Sequence, residues 1–196
     1  MKRKKDEYYS PLPKMMLTVM LIGLFGCVIC SILYYTSHIQ WLFSCAITFG
    51  VIAYHLLIRF ISPPILFLVF KNKYNYKWSW FQQKSWEPKI YRFLKVKNWK
   101  KHIMTYDPSE FSGKVHTIEE IINNMCNAEV VHELIVVLSF TSLFFSIPFG
   151  SFDVFLITAI LAALFDSIFI VVQRFNRPRL VAILNKQRAI SDNQID

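Results

Sequence analysis

The 196-residue sequence lacks the short signatures of familiar soluble chemistry: no GxGxxG, P-loop, HExxH, nucleophile elbow or paired-cysteine metal spacing occurs in it. The commonest nucleotide, zinc and serine-hydrolase mechanisms therefore lose their sequence support, and neither a metal site nor a bound cofactor is expected. There is no internal repeat and no low-complexity tract. The four cysteines form no disulfide framework. Cys27 and Cys30 make a C-x-x-C, but both lie inside a hydrocarbon-like run, where packing is their expected role. Lys and Arg are missing from two short loops, residues 36–40 and 149–153, and from all but the final residues of four long apolar runs.

What is present is grease. With 54% hydrophobic and 16% aromatic residues, the chain is too apolar for an ordinary soluble domain of this size. Four runs, at residues 15–35, 41–60, 130–149 and 152–172, approach the roughly 20 residues that cross a bilayer core. The sequence thus predicts an all-α integral membrane protein, a single membrane domain over 1–196. About four transmembrane helices are expected, with a cytoplasmic-side interfacial helical segment (71–127) between spans 2 and 3. Leu24-Phe25-Gly26-Cys27 loosely resembles a lipoprotein processing site, but apolar character continues to Tyr35, so cleavage there would discard half a span.

Cytoplasmic loops collect Lys and Arg, whereas short translocated loops do not. Of the 22 Lys and Arg, five precede the first span, Arg59 closes the second, eleven fall between Lys71 and Lys114, and five run from Arg174 to Arg188. That placement predicts a multi-pass cell-membrane protein with both termini cytoplasmic. The formal charge of +9 is then an orientation signal and a match to anionic head groups, each surface base contributing about 1 kcal/mol. Because these charges flank apolar spans, nucleic acid is not an expected partner.

Between spans 2 and 3, bases alternate with Tyr74, Tyr76, Trp78, Trp80, Phe81, Trp86, Tyr91, Phe93 and Trp99, rings that favour the head-group layer. Trp86, Ile90, Phe93, Leu94 and Lys97 recur at helical spacing while Lys89, Arg92 and Lys95 point elsewhere, which predicts a helix lying in the interface. Ser62-Pro63-Pro64 is expected to end the second helix. The apolar run at 65–70 is too short to span and should dip into the leaflet or pack on the bundle. Asp107-Pro108-Ser109 reads as a turn. Thr117-Ile118-Glu119-Glu120 reads as a capping box opening a helix that continues to Phe145. Residues 191–196 read as a disordered tail.

Three sets of polar residues sit near the cytoplasmic ends of the spans. Asn124, Asn127, Glu129, His132 and Glu133 share neighbouring faces of the third helix, so that a carboxylate beside His132 could fix its tautomer and raise its basicity as a general base requires. The alternative is a set of interfacial side chains reaching for water. His55 and Arg59 lie one turn apart near the end of the second span, where Arg59 can snorkel and His55 can be a packed residue. Asp166 precedes Gln173, Arg174, Asn176, Arg177 and Arg179. As an intramembrane carboxylate it calls for a partner, with Arg59 and His55 the candidates. The guanidinium groups match carboxylate and phosphate oxygens, so something anionic should be held there.

The tract Ala128-Glu129-Val130-Val131-His132, followed about forty residues later by Gln173-Arg174-Phe175-Asn176-Arg177-Pro178-Arg179-Leu180, resembles the glycosyl-4,4′-diaponeurosporenoate acyltransferase family. Members are similar in carrying A-E-x-x-H at the start of one span and Q-R-Y-N-R-P-R-L at the close of the last. The likeness covers about residues 81–184, and Phe175 stands where a Tyr is usual. It implies an integral membrane enzyme that esterifies a sugar hydroxyl of a glycosylated C30 carotenoid with a fatty acyl group.

The leading expectation is therefore acyl transfer from a thioester or lipid acyl donor, as co-substrate, to a hydroxyl of a membrane lipid or glycolipid-like acceptor. His132, oriented by Glu129 or Glu133, would take the hydroxyl proton. Arg174, Arg177 and Arg179 would hold donor anions, with Asn176 or Gln173 donating to the oxyanion. His55, Arg59 and Asp166 would border the substrate. Two other readings stand beside it: a non-enzymatic lipid-binding scaffold, and a small S-adenosylmethionine-dependent methyltransferase whose Arg-x-x-Arg-Pro segment binds a carboxylated nucleoside.

Overall fold

The structure is a computed structural model and describes residues 10–71, 73–103 and 105–193. The basic tetrad Lys2, Arg3, Lys4 and Lys5, and residues 194–196 of the expected tail, lie outside them. Among the described residues every regular element is helical. These are α1 (Leu12–Ser37), α2 (Gln40–Phe70), α3 (Glu87–Phe93), α4 (Val96–Trp99), α5 (Ile118–Thr141), α6 (Ser146–Phe149) and α7 (Phe152–Asp192). Three 3-10 turns interleave with them, at Lys100–His102, Pro108–Phe111 and Ser142–Phe145, the last joining α5 to α6. Four helical stretches, Leu12–Ser37, Gln40–Phe70, Ile118–Phe149 and Phe152–Asp192, are long and apolar enough to cross a membrane. The chain is an all-α membrane protein. It divides into two compact units: an apolar unit of Pro11–Ile65 with Glu133–Asp166, and a basic unit of Leu66–His132 with the chain from Ser167 onward.

In the apolar unit, α1 turns most of its apolar side chains outward, Phe25 and Ile22 among them, and buries only Gly23. Such a surface is solvated by lipid rather than water, and helix association there relies on close approach of small residues. A Cβ on Gly23 would meet the Phe49 carbonyl at 3.1 Å, so α1 lies nearly against the backbone of α2. α1 ends where His38 adopts a left-handed conformation and its N–H donates to the Tyr34 carbonyl at 2.8 Å. The Tyr54 hydroxyl of α2 donates to the Leu138 carbonyl of α5 at 2.8 Å and is also hydrogen-bonded to the Thr141 hydroxyl, so one side chain ties the two helices.

Ser62-Pro63-Pro64 does not end the second helix, which continues to Phe70. Unwinding within hydrocarbon would expose backbone groups at a cost of several kcal/mol each, more than the two donors the prolines remove. Beside the prolines, Ser62 is buried and its hydroxyl donates to the Ile58 carbonyl. The last helix also outruns the expected span, passing through Pro178 to Asp192, so Ser191 and Asp192 are helical rather than tail.

The basic unit is built on α5. Thr117 and Glu120 form the expected capping box: the Thr117 N–H donates to Glu120 Oε2 at 2.8 Å and the Glu120 N–H to Thr117 Oγ1 at 3.2 Å. Asp107 likewise accepts from the Ser109 N–H, as its turn signature required. Ile121, Ile122, Met125 and Cys126 are buried, and Tyr74 and Phe81 pack against Cys126. The single interfacial helix expected over 86–97 is two short helices, because Lys95 takes φ 51° and breaks it. The cause lies in Phe93 and Val96. At i, i+3 they would share one helix face, yet Phe93 is 85% exposed and Val96 0%. Trp86, Ile90, Phe93 and Leu94 remain exposed as an apolar row on α3.

Candidate active site

Two arginines of α7, Arg174 and Arg177, hold buried carboxylates of the protein itself. Arg174 donates from Nε and Nη2 to Glu87 Oε1, at 3.1 and 2.5 Å, and from Nη1 to Glu129 Oε1 at 2.5 Å. The same guanidinium reaches the Trp80 and Gln82 carbonyls at 3.0 and 3.2 Å. One turn on, Arg177 Nη1 donates to Glu129 Oε2, while its Nε and Nη2 donate to the Phe81 carbonyl at 3.2 and 2.7 Å and the group lies over the Phe81 ring. Glu129 and Glu87 are 0% and 1% exposed and Arg177 3%. Buried charge on this scale is tolerated only where it is paired and further hydrogen-bonded. Two cations face two anions, so the cluster is neutral.

Glu87 is the anchor at the start of α3. Its Oε2 accepts from the Tyr91 hydroxyl at 2.7 Å. Burial alone would raise its pKa, but hydrogen bonds from Arg174, Tyr91 and the Lys84 backbone outweigh burial and hold the carboxyl below its ordinary value. Tyr91 is pushed up, first by burial and then by its hydrogen bond to the Glu87 carboxylate.

Sequence spacing placed Glu129 beside His132, but both Glu129 oxygens are taken by guanidinium groups. The His132 ring is instead laid flat on Phe169 of α7, centroids 4.6 Å apart and planes 7° apart. Of the remaining octamer residues, Gln173 is buried, and Asn176 Oδ1 accepts from the Lys100 ammonium, which sits 4.5 Å from the Phe175 ring centroid. Arg179 is exposed. Asn124 donates to the Glu110 carbonyl at 2.9 Å, tying α5 to the preceding turn. These residues all belong to the basic unit.

His55, Arg59, Asp166 and Glu133 belong to the apolar unit. Asp166, fully buried, pairs with Arg59, which also donates to the His55 carbonyl. Of the two partners the sequence offered Asp166, Arg59 is the one whose side chain makes an ion pair with it. Both His55 ring nitrogens are buried without a hydrogen-bond partner. Among the described residues no group of three or more His, Cys, Asp or Glu is arranged to hold a metal ion.

A family model described as glycosyl-4,4′-diaponeurosporenoate acyltransferase matches residues 77–186. That is more than half of the chain. The chain belongs to this family. No curated protein and no solved structure matches it. The matched stretch contains Glu87, Glu129, His132, Asp166, Arg174 and Arg177; His55 and Arg59 fall before it.

Sequence reasoning missed Glu87, Lys100 and Phe169. Glu87 did leave a trace, being the sole acidic residue between Lys71 and Tyr106. A lone carboxylate in so basic a segment is placed to neutralise a buried cation. Lys100 left none, because nothing separates it in sequence from Lys97 and Lys101.

Proposed function

We propose that this protein transfers a fatty acyl group to a sugar hydroxyl of a glycosylated carotenoid-type lipid at the cytoplasmic membrane surface, with His132 as the base. The observation that carries the reading is the family match over 77–186, because that stretch contains both His132 and the buried arginine–glutamate cluster. The acceptor oxygen bonds to the acyl carbonyl carbon as His132 takes its proton. Collapse of the tetrahedral intermediate breaks the bond to the leaving group, a thiolate for a thioester donor or an alkoxide for a lipid ester, and His132 returns the proton to it. The flat stack on Phe169 supports this role, since it holds the imidazole plane in one orientation.

The arginine octamer changes its part in this scheme. Arg174 and Arg177 are spent on Glu87, Glu129 and three backbone carbonyls, so they act as positioning residues that clamp α7 to α5 and to the loop before α3. The methyltransferase alternative loses its basis by the same fact, because it needed these arginines for a cofactor carboxylate. Both termini are assigned to the cytoplasm on the distribution of Lys and Arg.

The test is expression in a host that makes the glycosylated carotenoid, followed by mass spectrometry of the pigment extract. The wild type should add one fatty acyl unit. His132→Ala should insert and fold yet lose about 10²- to 10⁴-fold in rate. Turnover by His132→Ala equal to wild type would remove His132 from the chemistry, and a wild type yielding no acylated product would sink the acyl-transfer reading.

A further inference from the structure

Beside the arginine–glutamate cluster the basic unit holds a cleft of about 390 Å³ whose lining includes Tyr91, Arg92, Lys95, Lys97, Asn98 and Phe175. Three of its eight lining residues are cations, and among the described residues none of the three has a carboxylate partner. The chain offers none locally, since residues 88–106 contain no Asp or Glu, and Glu87 is committed to Arg174 and Tyr91. Lys100 adds a fourth charge against the Phe175 ring. Its pKa is lowered first by burial, then by the positive charges of Arg179 and Lys97, so cationic charge here accumulates without neutralisation.

A simple membrane anchor disperses its bases over an exposed face. Here Arg92, Lys95 and Lys97, although exposed, line one open recess together with two aromatic rings in edge contact, 5.5 Å between centroids. The chain also holds Lys95 in a left-handed conformation that a side chain other than Gly, Asn or Asp rarely adopts. That turn sets Lys95 and Lys97 on the same recess as Arg92. Arginine and lysine around a concave wall, with an amide and a ring, are the chemistry of phosphate ester recognition.

We propose that this cleft is a phosphate-binding subsite that holds the anionic head of the acyl donor. The assignment rests on the acyl-transfer reading for the word donor, and on the cleft alone for the word phosphate. The phosphate can arrive on a water-soluble thioester such as an acyl-coenzyme A, or as the head group of a phospholipid.

The experiment uses the full chain in nanodiscs of zwitterionic phosphatidylcholine, titrated with coenzyme A by calorimetry, and repeated with phosphatidylglycerol in the disc. Replacing Arg92, Lys95 and Lys97 together by Gln should weaken probe binding by roughly tenfold per lost charged contact. Lys89→Gln with Lys101→Gln removes exposed charges of the same segment that do not line the cleft, and should change binding by less than about twofold. The charge-preserving set R92K, K95R and K97R should fold and keep most of the affinity. Coenzyme A binding that persists with phosphatidylglycerol in the disc identifies a soluble donor; displacement of coenzyme A by phosphatidylglycerol identifies a lipid head group. Equal losses in the two Gln variants, or binding of neither probe by the wild type, overturns the subsite. In acyl transfer the triple Gln variant should raise KM for the donor with kcat retained, and an unchanged KM overturns the donor assignment. Probe binding by a wild type that forms no ester would instead refute acyl transfer and leave the phosphate site standing.

Discussion

Removing Arg177 should destabilise the protein far more than removing any exposed base, and the size follows from the charge balance of the buried cluster. Arg177 donates to one Glu129 oxygen and twice to the Phe81 carbonyl. Arg177→Met fills similar volume but leaves two carboxylates facing one guanidinium, with the Phe81 carbonyl unsatisfied. Breaking a buried pair on one side costs about 3 to 5 kcal/mol. At about 2 to 4 °C per kcal/mol for a chain of this length, the melting temperature should fall by roughly 6 to 20 °C. Glu129→Gln errs in the opposite direction, leaving two guanidinium groups with one carboxylate, and should cost a similar amount. The double variant restores neutrality around the surviving Arg174–Glu87 pair. Its cost should therefore fall short of the summed single costs by about 0.5 to 3 kcal/mol, the coupling expected of neighbours in one network. Arg179→Gln, at an exposed position, should stay within about 0.5 kcal/mol. The assay is thermal unfolding of the purified protein in detergent, followed by circular dichroism. Additive losses in the double variant, or an Arg177→Met melt equal to that of Arg179→Gln, would refute the account of a charge-balanced buried cluster.

Glu87 gives the cluster a pH dependence. Its carboxyl is held below the ordinary glutamate value, so the stability it contributes is fully present above about pH 4.3 and is lost as pH falls through the lowered folded-state pKa. Melting temperature should drop over that acidic window in the wild type and drop less in Glu87→Gln; identical profiles would dismiss Glu87 as the group responsible. Asp166→Leu should strand Arg59 and cost about 3 to 5 kcal/mol, with Arg59→Leu in the same chain recovering part of the loss; a melting curve for the double variant below that of Asp166→Leu would contradict the pairing. Gly23→Leu should cost about 1 to 3 kcal/mol by forcing α1 from the Phe49 carbonyl, whereas Ile22→Leu on the outward face should leave the melt unchanged; equal effects would deny the close approach of α1 and α2.

The elements legible in the sequence were those that depend on local patterning. The four spans follow from unbroken apolar runs, and the Thr117–Glu120 box and the Asp107 turn follow from side chains that bond their own backbone a few residues away. Asp166 was legible for a different reason: a carboxylate within an apolar run has few ways to exist, and Arg59 was one of two partners on offer. Proline rules misplaced the end of α2, because they express a helix's cost in water, where an unwound backbone is hydrated; in hydrocarbon the unwound state is dearer. The partners of Arg174 and Arg177 were not legible. Spacing puts Glu129 three residues from His132 and therefore suggests a local dyad, whereas the bonds Glu129 makes span 45 and 48 residues. A guanidinium offers five donors where an imidazole offers one or two, so in competition for a buried carboxylate the arginines win.

That outcome alters how the family's arginine-rich tract should be understood in this chain. An arginine awaiting a substrate phosphate should be partly wet and short of partners, yet Arg177 is nearly sealed and every Arg174 nitrogen has an acceptor inside the protein. Under the proposed acyl transfer, Arg174 and Arg177 act at one remove from the chemistry. Arg174 and Arg177 lie five and eight residues after Phe169 on α7, and Glu129 three residues before His132 on α5. Locking one pair of helix faces therefore also fixes the spacing at which the imidazole meets the Phe169 ring. A loosened cluster should then cost turnover before it costs the fold. Arg177→Lys is the discriminating change: it keeps a charge for Glu129 but cannot also serve Phe81 with a second arm. It should insert and melt closer to wild type than Arg177→Met does while losing kcat more than donor KM, and a variant that instead lost donor affinity alone would return Arg177 to a direct role in binding.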